Sequence, residues 1–295
     1  MEHLEKLSNC PVCGGTAFKD TLQATDHTVS LEQFNIVSCE SCGFVFTNPR
    51  PSKEQIGRYY QSSAYISHSD TSKGLVNKLY KFARTLTLAS KYRLIKPYLG
   101  NQKLLDIGAG TGYFLKYCSD KGIMAEGVEP DADARALADK QHRLRLNGEE
   151  YLEKYPDENF SVITMWHVLE HVHDLNNRIL EIRRLLKQDG RLFVAVPNHN
   201  SADAHHYKAF WAAYDVPRHL YHFDPESIQK LFEKHGFVLD AILPMYLDAF
   251  YISLLSEKYK IGKTSFFKAF FQGLLSNLQA GTGKYSSQIY VLSKR

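Results

Sequence analysis

Strong charge of either sign is missing from this sequence. Its 295 residues carry 36 Lys and Arg against 32 Asp and Glu, a formal net charge of +4. A nucleic-acid binder concentrates basic residues on one face, so this balance speaks against a nucleic-acid partner. Long apolar runs are missing too: no stretch approaches the roughly 20 apolar residues that cross a bilayer. The opening MEHLEKLSNC has no apolar core of a signal peptide, and the expectation is a cytoplasmic location. No internal repeat or low-complexity segment interrupts the chain. A hydrophobic content of 44% and a charged content of 23% are those of an ordinary globular protein. The length accommodates one large domain and a small one.

Cysteine is scarce, and four of the five form two pairs, Cys10/Cys13 and Cys39/Cys42, with Cys118 alone. In a reducing compartment spaced C-x-x-C units read as metal ligands rather than disulfides. Gly14 and Gly43 follow each pair and permit the tight turn. Four thiolates suit a closed, structural zinc site, against the blander alternative of four unrelated thiols. The segment is short and would need the metal to fold. Phe44 to Thr47 reads as a strand leaving the second turn, broken by the NPRP of 48–51.

The richest stretch is KLLDIGAGTGYFL, residues 103–115. Leu104, Leu105 and Ile107 suit a strand buried on both faces. Asp106 stands just before the turn Gly108-Ala109-Gly110-Thr111-Gly112, and Tyr113 to Lys121 reads as a helix. A dinucleotide site wants G-x-G-x-x-G with pyrophosphate on the helix N-terminus. Here the spacing is G-x-G-x-G, and an acidic residue beside the turn would repel a pyrophosphate but hold a cation. Met124 to Val128 reads as a second strand, and Glu129-Pro130 follows about twenty residues past the first glycine, where a nucleotide site places a carboxylate on the ribose hydroxyls.

The D-x-G-x-G-x-G pattern resembles motif I of the class I S-adenosylmethionine (SAM) methyltransferases. The cadence beyond it agrees: a strand Phe160 to Met165, then WHVLEH, a helix Leu175 to Lys187, the turn Asp189-Gly190, a strand Arg191 to Val196 and Pro197-Asn198. The resemblance covers most of residues 100–240 and extends to the large group containing the ubiquinone-precursor O-methyltransferases. It implies an α/β fold with a seven-stranded Rossmann-like sheet, helices on both faces and the last strand antiparallel beside the fifth. It implies SAM as cofactor, contacted by Asp106, Gly108, Ala109, Gly110, Gly112, Glu129, Pro130, Met165 and Trp166, and a small-molecule acceptor. Leu144 to Leu146 is expected as a weak third strand. The organisation expected is a zinc-ribbon-like module at 1–50, covering helices at 51–99, and a methyltransferase domain at 100–295 with insertions at 198–223 and 244–281.

Methyl transfer to a hydroxyl benefits from a base, and histidine is the natural one. On a helical turn His167, Glu170 and His171 would share one face. They are candidates for a base or substrate contact or for holding a divalent cation, against the alternative that Glu170 and His171 are a structural pair fixing the loop by hydrogen bonds. Related quinone-precursor and small-RNA methyltransferases carry Glu-x-x-Glu-His here, whereas this chain has His167 in place of the first Glu. His219 and His222 are second candidates. Zinc followed by a methyltransferase also resembles the nucleotide-sugar C-methyltransferases; a non-catalytic zinc scaffold is the further alternative.

Elsewhere, Tyr59, Tyr60 and Tyr65 would cover the site or pack between domains. A helix is expected from about Lys73 to Leu99, and Asp224-Pro225 starts another that ends near Lys234. A last strand is expected over Ser286 to Leu292. In the second insertion Phe266, Phe267, Phe270, Phe271, Leu274, Leu275 and Leu278 form an apolar helical stripe. Packing inside the insertion, a lid or a second copy is favoured for it, with peripheral membrane contact through 264–279 as the other reading.

Overall fold

A computed structural model describes residues 4–61, 75–100, 102–281 and 283–295; the side chains of 75–82 fall outside that description. Tyr65, the start of the helix expected at Lys73, and the side chains of Leu75, Leu79 and Phe82 therefore lie outside the described residues. Twelve strands are described: β1 (Leu4–Glu5), β2 (Phe18–Thr25), β3 (Gln33–Cys39), β4 (Val45–Thr47), β5 (Arg50–Pro51), β6 (Lys103–Ile107), β7 (Met124–Val128), β8 (Phe160–Trp166), β9 (Leu186–Pro197), β10 (Tyr221–His222), β11 (Phe237–Pro244) and β12 (Ser287–Lys294).

The main sheet has the order β11-β12-β9-β8-β6-β7. Its β6, β7, β8 and β9 run parallel, while β12 lies antiparallel between β9 and β11. Leu104, Leu105, Val162, Ile163 and Val194 are buried on one face or the other, as parallel strands flanked by helices require. Six strands are described rather than the seven expected. The expected strand at 144–146 shrinks to a single bridge, in which Asn147 pairs with Val128 beside β7. Asn147 both donates to Gly127 and accepts from Glu129. The chain then turns away at once into a short 3-10 helix, Glu149–Lys154, so nothing extends the pairing.

The helix expected after β8 is Leu175–Leu185, capped by Asp174. Its inner side is Leu175, Ile179, Ile182 and Leu185, whereas Leu180 is half exposed. A spacing of four and three residues keeps the first set on one stripe and turns Leu180 about 100° off it. The long helix is Leu75–Ile95, followed by a 3-10 turn; Leu88 and Ile95 pack beside Leu104 and Phe114.

A second sheet, β10-β4-β3-β2, carries the cysteine turns. Its edge strand β10 comes from residues 221–222, antiparallel to β4. Phe44, Phe46 and Val37 share one core with Leu105, Met165 and Tyr221. Trp211, Tyr214 and Val216, from the first insertion, pack with Phe34, Ile36 and Tyr59. The first insertion thus joins the N-terminal sheet to the main one. Arg218, fully buried, seals that junction by donating to Asp26 Oδ1 at 3.0 Å, to Asp215 Oδ1 at 2.6 Å and to the Tyr59 carbonyl at 2.8 Å.

The second insertion forms two helices, Asp248–Ile261 and Phe266–Gln279. Internal packing of the apolar stripe, favoured from sequence, is not what the structure has. The buried face of the second helix is Ala269, Gly273 and Ser276, and the large residues face outward, Phe267 being 82% exposed. A Cβ at Gly273 would come within 2.9 Å of the Phe250 backbone, so the helices touch through their small residues. No described helix is long and apolar enough to cross a membrane.

Candidate active site

The ends of β6, β7 and β8 converge on the glycine turn. Gly108 has φ +73° and lies against Val168, which a Cβ there would meet at 2.4 Å. Gly110 has φ +54° and open space where a Cβ would be. Both positions need glycine for backbone conformation, and of the two only Gly110 has open space where a Cβ would stand. Its N–H donates to Glu129 Oε2 at 2.7 Å, and the Asp131 N–H donates to Glu129 Oε1 at 3.0 Å. These bonds anchor a buried carboxylate at the rim of the turn, each oxygen keeping acceptor capacity for a ligand hydroxyl. Pro130 is exposed, and its carbonyl accepts from Arg135 Nη1 at 2.7 Å.

Asp106 is buried, and Thr164 Oγ1 donates to its Oδ1 at 2.6 Å. Burial pushes its carboxyl up to about 7, against the pull of Thr164 and Lys91. Burial lowers the Lys91 ammonium in turn, though Asp106 and Asp248 hold it up. Lys91 Nζ sits 4.4 Å from the ring centre of Trp166, a cation–π contact. The indole Nε1 of Trp166 is buried without a hydrogen-bond partner, while the Met165 side chain is fully buried in the core. Met165 and Trp166 therefore part ways: only the indole leaves a polar atom unspent at the end of β8.

The WHVLEH segment does not form the continuous helical turn that spacing suggested. His167 has φ +58°, and only Leu169–His171 are 3-10 helical. The three-residue set His167, Glu170 and His171 is replaced by another: among the described residues Glu170, His171 and His219 bring one ligand atom each within 4.8 Å of one another. His167 instead lies between two carboxylates, its Nε2 3.0 Å from Asp248 Oδ2 and its Nδ1 3.3 Å from Glu170 Oε1. Burial would lower its pKa, but the two carboxylates outweigh it and hold the imidazolium up to about 9.

Glu170 is wholly buried, and neither carboxylate oxygen has an aligned hydrogen-bond partner, the contact with His167 being an ion pair only. His219 Nδ1 lies 2.8 Å from the Ala213 carbonyl, and His171 Nδ1 lies 3.0 Å from the Arg218 carbonyl. A carbonyl only accepts, so each ring donates from Nδ1. Tyr60 Oη is 2.9 Å from His171 Nδ1. Burial, with His219 beside it, holds the His171 imidazole down to about 4. His222, the other candidate, is buried in β10 at 3.2 Å from Thr47 Oγ1, inside the second sheet. Lys91 and Asp248 carried no sequence signal, each reaching the site from a segment distant in the chain, whereas Tyr60 was already singled out as a residue that covers the site or packs between domains.

At the other end, Cys10 and Cys42 sulfurs are 3.6 Å apart and Cys13 and Cys39 sulfurs 3.5 Å. All four lie within 4.8 Å of one another. Zn–S bonds of about 2.3 Å in a tetrahedron put sulfurs about 3.8 Å apart. The spacing fits zinc and is far too long for a disulfide. Gly14 and Gly43, at φ +78° and +79°, return N–H groups to the Cys10 and Cys39 carbonyls at 2.8 Å.

Residues 77–242 match the family model described as a methyltransferase domain. A ubiquinone biosynthesis O-methyltransferase of Glaesserella parasuis is 32% identical over 112 residues, covering 34% of this chain and 47% of that protein. The namesake of Saccharophagus degradans is 28% identical over 122 residues, covering 38% and 51%. The chain thus spans about half the length of the curated relatives it matches. Among solved structures, a SAM-dependent methyltransferase of Archaeoglobus fulgidus superposes with a TM-score of 0.51 at 21% identity, covering 72% of this chain and 94% of that one. At that identity the likeness bears on the fold. With more than half of its length inside the matched model, and with this sheet order and glycine turn, the chain belongs to the methyltransferase-domain family of class I, SAM-dependent architecture.

Proposed function

We propose that the chain transfers a methyl group from SAM to a hydroxyl of a small phenolic, quinone-like or lipid-like acceptor. The observation that carries this reading is the buried carboxylate of Glu129, anchored by the N–H groups of Gly110 and Asp131 beside the glycine turn. SAM bound there supplies a methyl carbon activated by a positive sulfur. In this reading Glu129 accepts from the ribose hydroxyls, the turn 108–112 cradles the amino-acid tail, and Trp166 offers its free indole N–H. Asp106 places a carboxylate near the cationic centre. The acceptor hydroxyl would give up its proton to solvent, its oxygen would attack the methyl carbon in line, and the C–S bond would break with its electron pair going to sulfur. Most of the rate gain comes from alignment and water exclusion.

Glu170, His171 and His219 fit a divalent cation better than a free histidine base. Their donor set is one carboxylate and two imidazoles, and the buried, unbonded carboxylate is a cost that a cation would remove. A cation held there would orient the acceptor oxygen and acidify its hydroxyl. His167, protonated and paired, is a positioning group in this reading rather than the base. Cys10, Cys13, Cys39 and Cys42 would hold a structural zinc, with no open coordination position.

The test is calorimetric SAM binding followed by comparison of metabolites from cells with and without the intact gene, searched for methyl-sized mass differences. Absence of SAM binding would falsify the proposal.

A further inference from the structure

The helix Phe266–Gln279 turns its large residues away from the protein. Phe267 is 82% exposed, Leu278 72%, Phe271 58% and Phe270 54%. The inner face consists of Ala269, Gly273 and Ser276, and Ser276 Oγ donates to the buried Asp203 at 2.7 Å. An ordinary surface helix has the reverse pattern, with large apolar groups inward and polar groups outward. The small inner residues pin this helix to Asp248–Ile261, so it cannot roll its apolar face inward without losing that close contact. A monomer rarely exposes a contiguous apolar face of this kind without a use for it.

The surrounding charge selects the partner. From residue 258 to residue 285 the chain has five lysines, Lys258, Lys260, Lys263, Lys268 and Lys284, and no Asp or Glu. All five are exposed. A face of Phe and Leu in a stretch whose charged residues are all exposed lysines matches a surface that is apolar inside and anionic at its rim. We propose that this helix lies in the headgroup region of a membrane containing anionic lipid, its apolar face entering the acyl boundary and the lysines meeting the phosphates. A second copy of the same face would bring lysine against lysine, which favours the lipid over a dimer. The inference concerns where the protein sits and does not depend on which acceptor is methylated.

The test uses the full chain and sedimentation with vesicles of phosphatidylcholine, alone or mixed with phosphatidylglycerol. Binding is expected to the mixed vesicles, weakening as salt screens the lysines. Phe267→Glu combined with Leu278→Glu should weaken it at least about tenfold, and SAM binding by the same variant reports that it is folded. Lys263→Glu with Lys268→Glu leaves the apolar face intact and should also weaken binding. Failure to sediment with mixed vesicles would overturn the proposal. So would unchanged binding by either variant, or a concentration-dependent dimer, seen by light scattering, that the Phe267/Leu278 variant abolishes. Because vesicle binding is read without cofactor or acceptor, its failure is separate from failure of the methyl-transfer reading.

Discussion

His167 Nε2 lies 3.0 Å from Oδ2 of Asp248, a residue 81 positions further along the chain. This pair ties the end of β8 to the first turn of the second insertion. It also holds His167 cationic between Asp248 and Glu170. Replacing Asp248 by Asn keeps the shape and removes the charge. Turnover is expected to fall by about tenfold or more while SAM affinity changes little, because a charge-assisted contact of roughly 1.5–3 kcal/mol is lost away from the glycine turn. Steady-state kinetics alongside calorimetry checks this, and an equal loss in both would place Asp248 at the cofactor instead.

Gly110→Arg should abolish measurable SAM binding. The side chain would occupy the open space beside the turn and force a residue with Cβ to φ +54°. Zinc content and thermal unfolding should stay close to those of the parent, since the cysteine turns lie in the other sheet. Retained affinity would move the cofactor away from this turn.

Glu170→Gln and His171→Ala should each reduce turnover by about a hundredfold or more if these side chains bind a cation, from the lost alignment and activation of the acceptor oxygen. Chelator treatment of the unmodified protein should do the same, with recovery on adding Mg2+, Mn2+ or Zn2+. Full activity after chelation would return His171 to the role of a plain base or a structural residue.

Elemental analysis should find one zinc per chain, and Cys39→Ser should release it. Destabilisation should reach the main sheet, because Cys10, Cys39 and Phe44 share a core with Leu105 and Met165. Loss of a structural zinc contributes several kcal/mol, so thermal unfolding should move down by many degrees as a single transition.

Asp106 sets a pH dependence whose sign follows from burial. Its folded pKa, about 7, is above the unfolded value. The folded state therefore binds the proton more tightly, and stability falls as pH rises from about 4 to about 7. Asp106→Asn should remove that slope, gaining roughly 4 kcal/mol of stability above neutral pH and nothing near pH 4. Denaturant titrations of both proteins across this range make the comparison. Affinity for SAM should move the other way in the parent, rising through pH 7 as the carboxylate ionises opposite the sulfonium. A parent protein whose stability is flat from pH 4 to 8 would leave Asp106 with an ordinary acidity.

Much of the sheet was legible because its determinants are local. An apolar run followed by three glycines allows little besides a buried strand and a tight turn, and Asp174 or Asp224 before an apolar-periodic stretch caps a helix wherever it packs. The missing third strand was less legible: Leu144 to Leu146 has strand-like residues, but the turn at Gly148 leaves only Asn147 able to pair. The outward-facing stripe at 266–278 shows the same limit. Periodicity finds the stripe, and only the small-residue contact on its opposite side says which way it points.

Local order along the chain was enough to determine the class of fold, the glycine turn with Glu129 beside it, and the gathering of four cysteines, since each depends on short motifs or on one strand feeding one turn. Tertiary structure alone decided which side chains share the second site. Spacing proposed His167 with Glu170 and His171, but the left-handed backbone at His167 turns that ring toward Asp248, and His219 arrives from the first insertion in its place. A carboxylate and two imidazoles meet there because Arg218 and β10 fasten that insertion to the N-terminal sheet, a closure between segments nearly two hundred residues apart that no local pattern encodes.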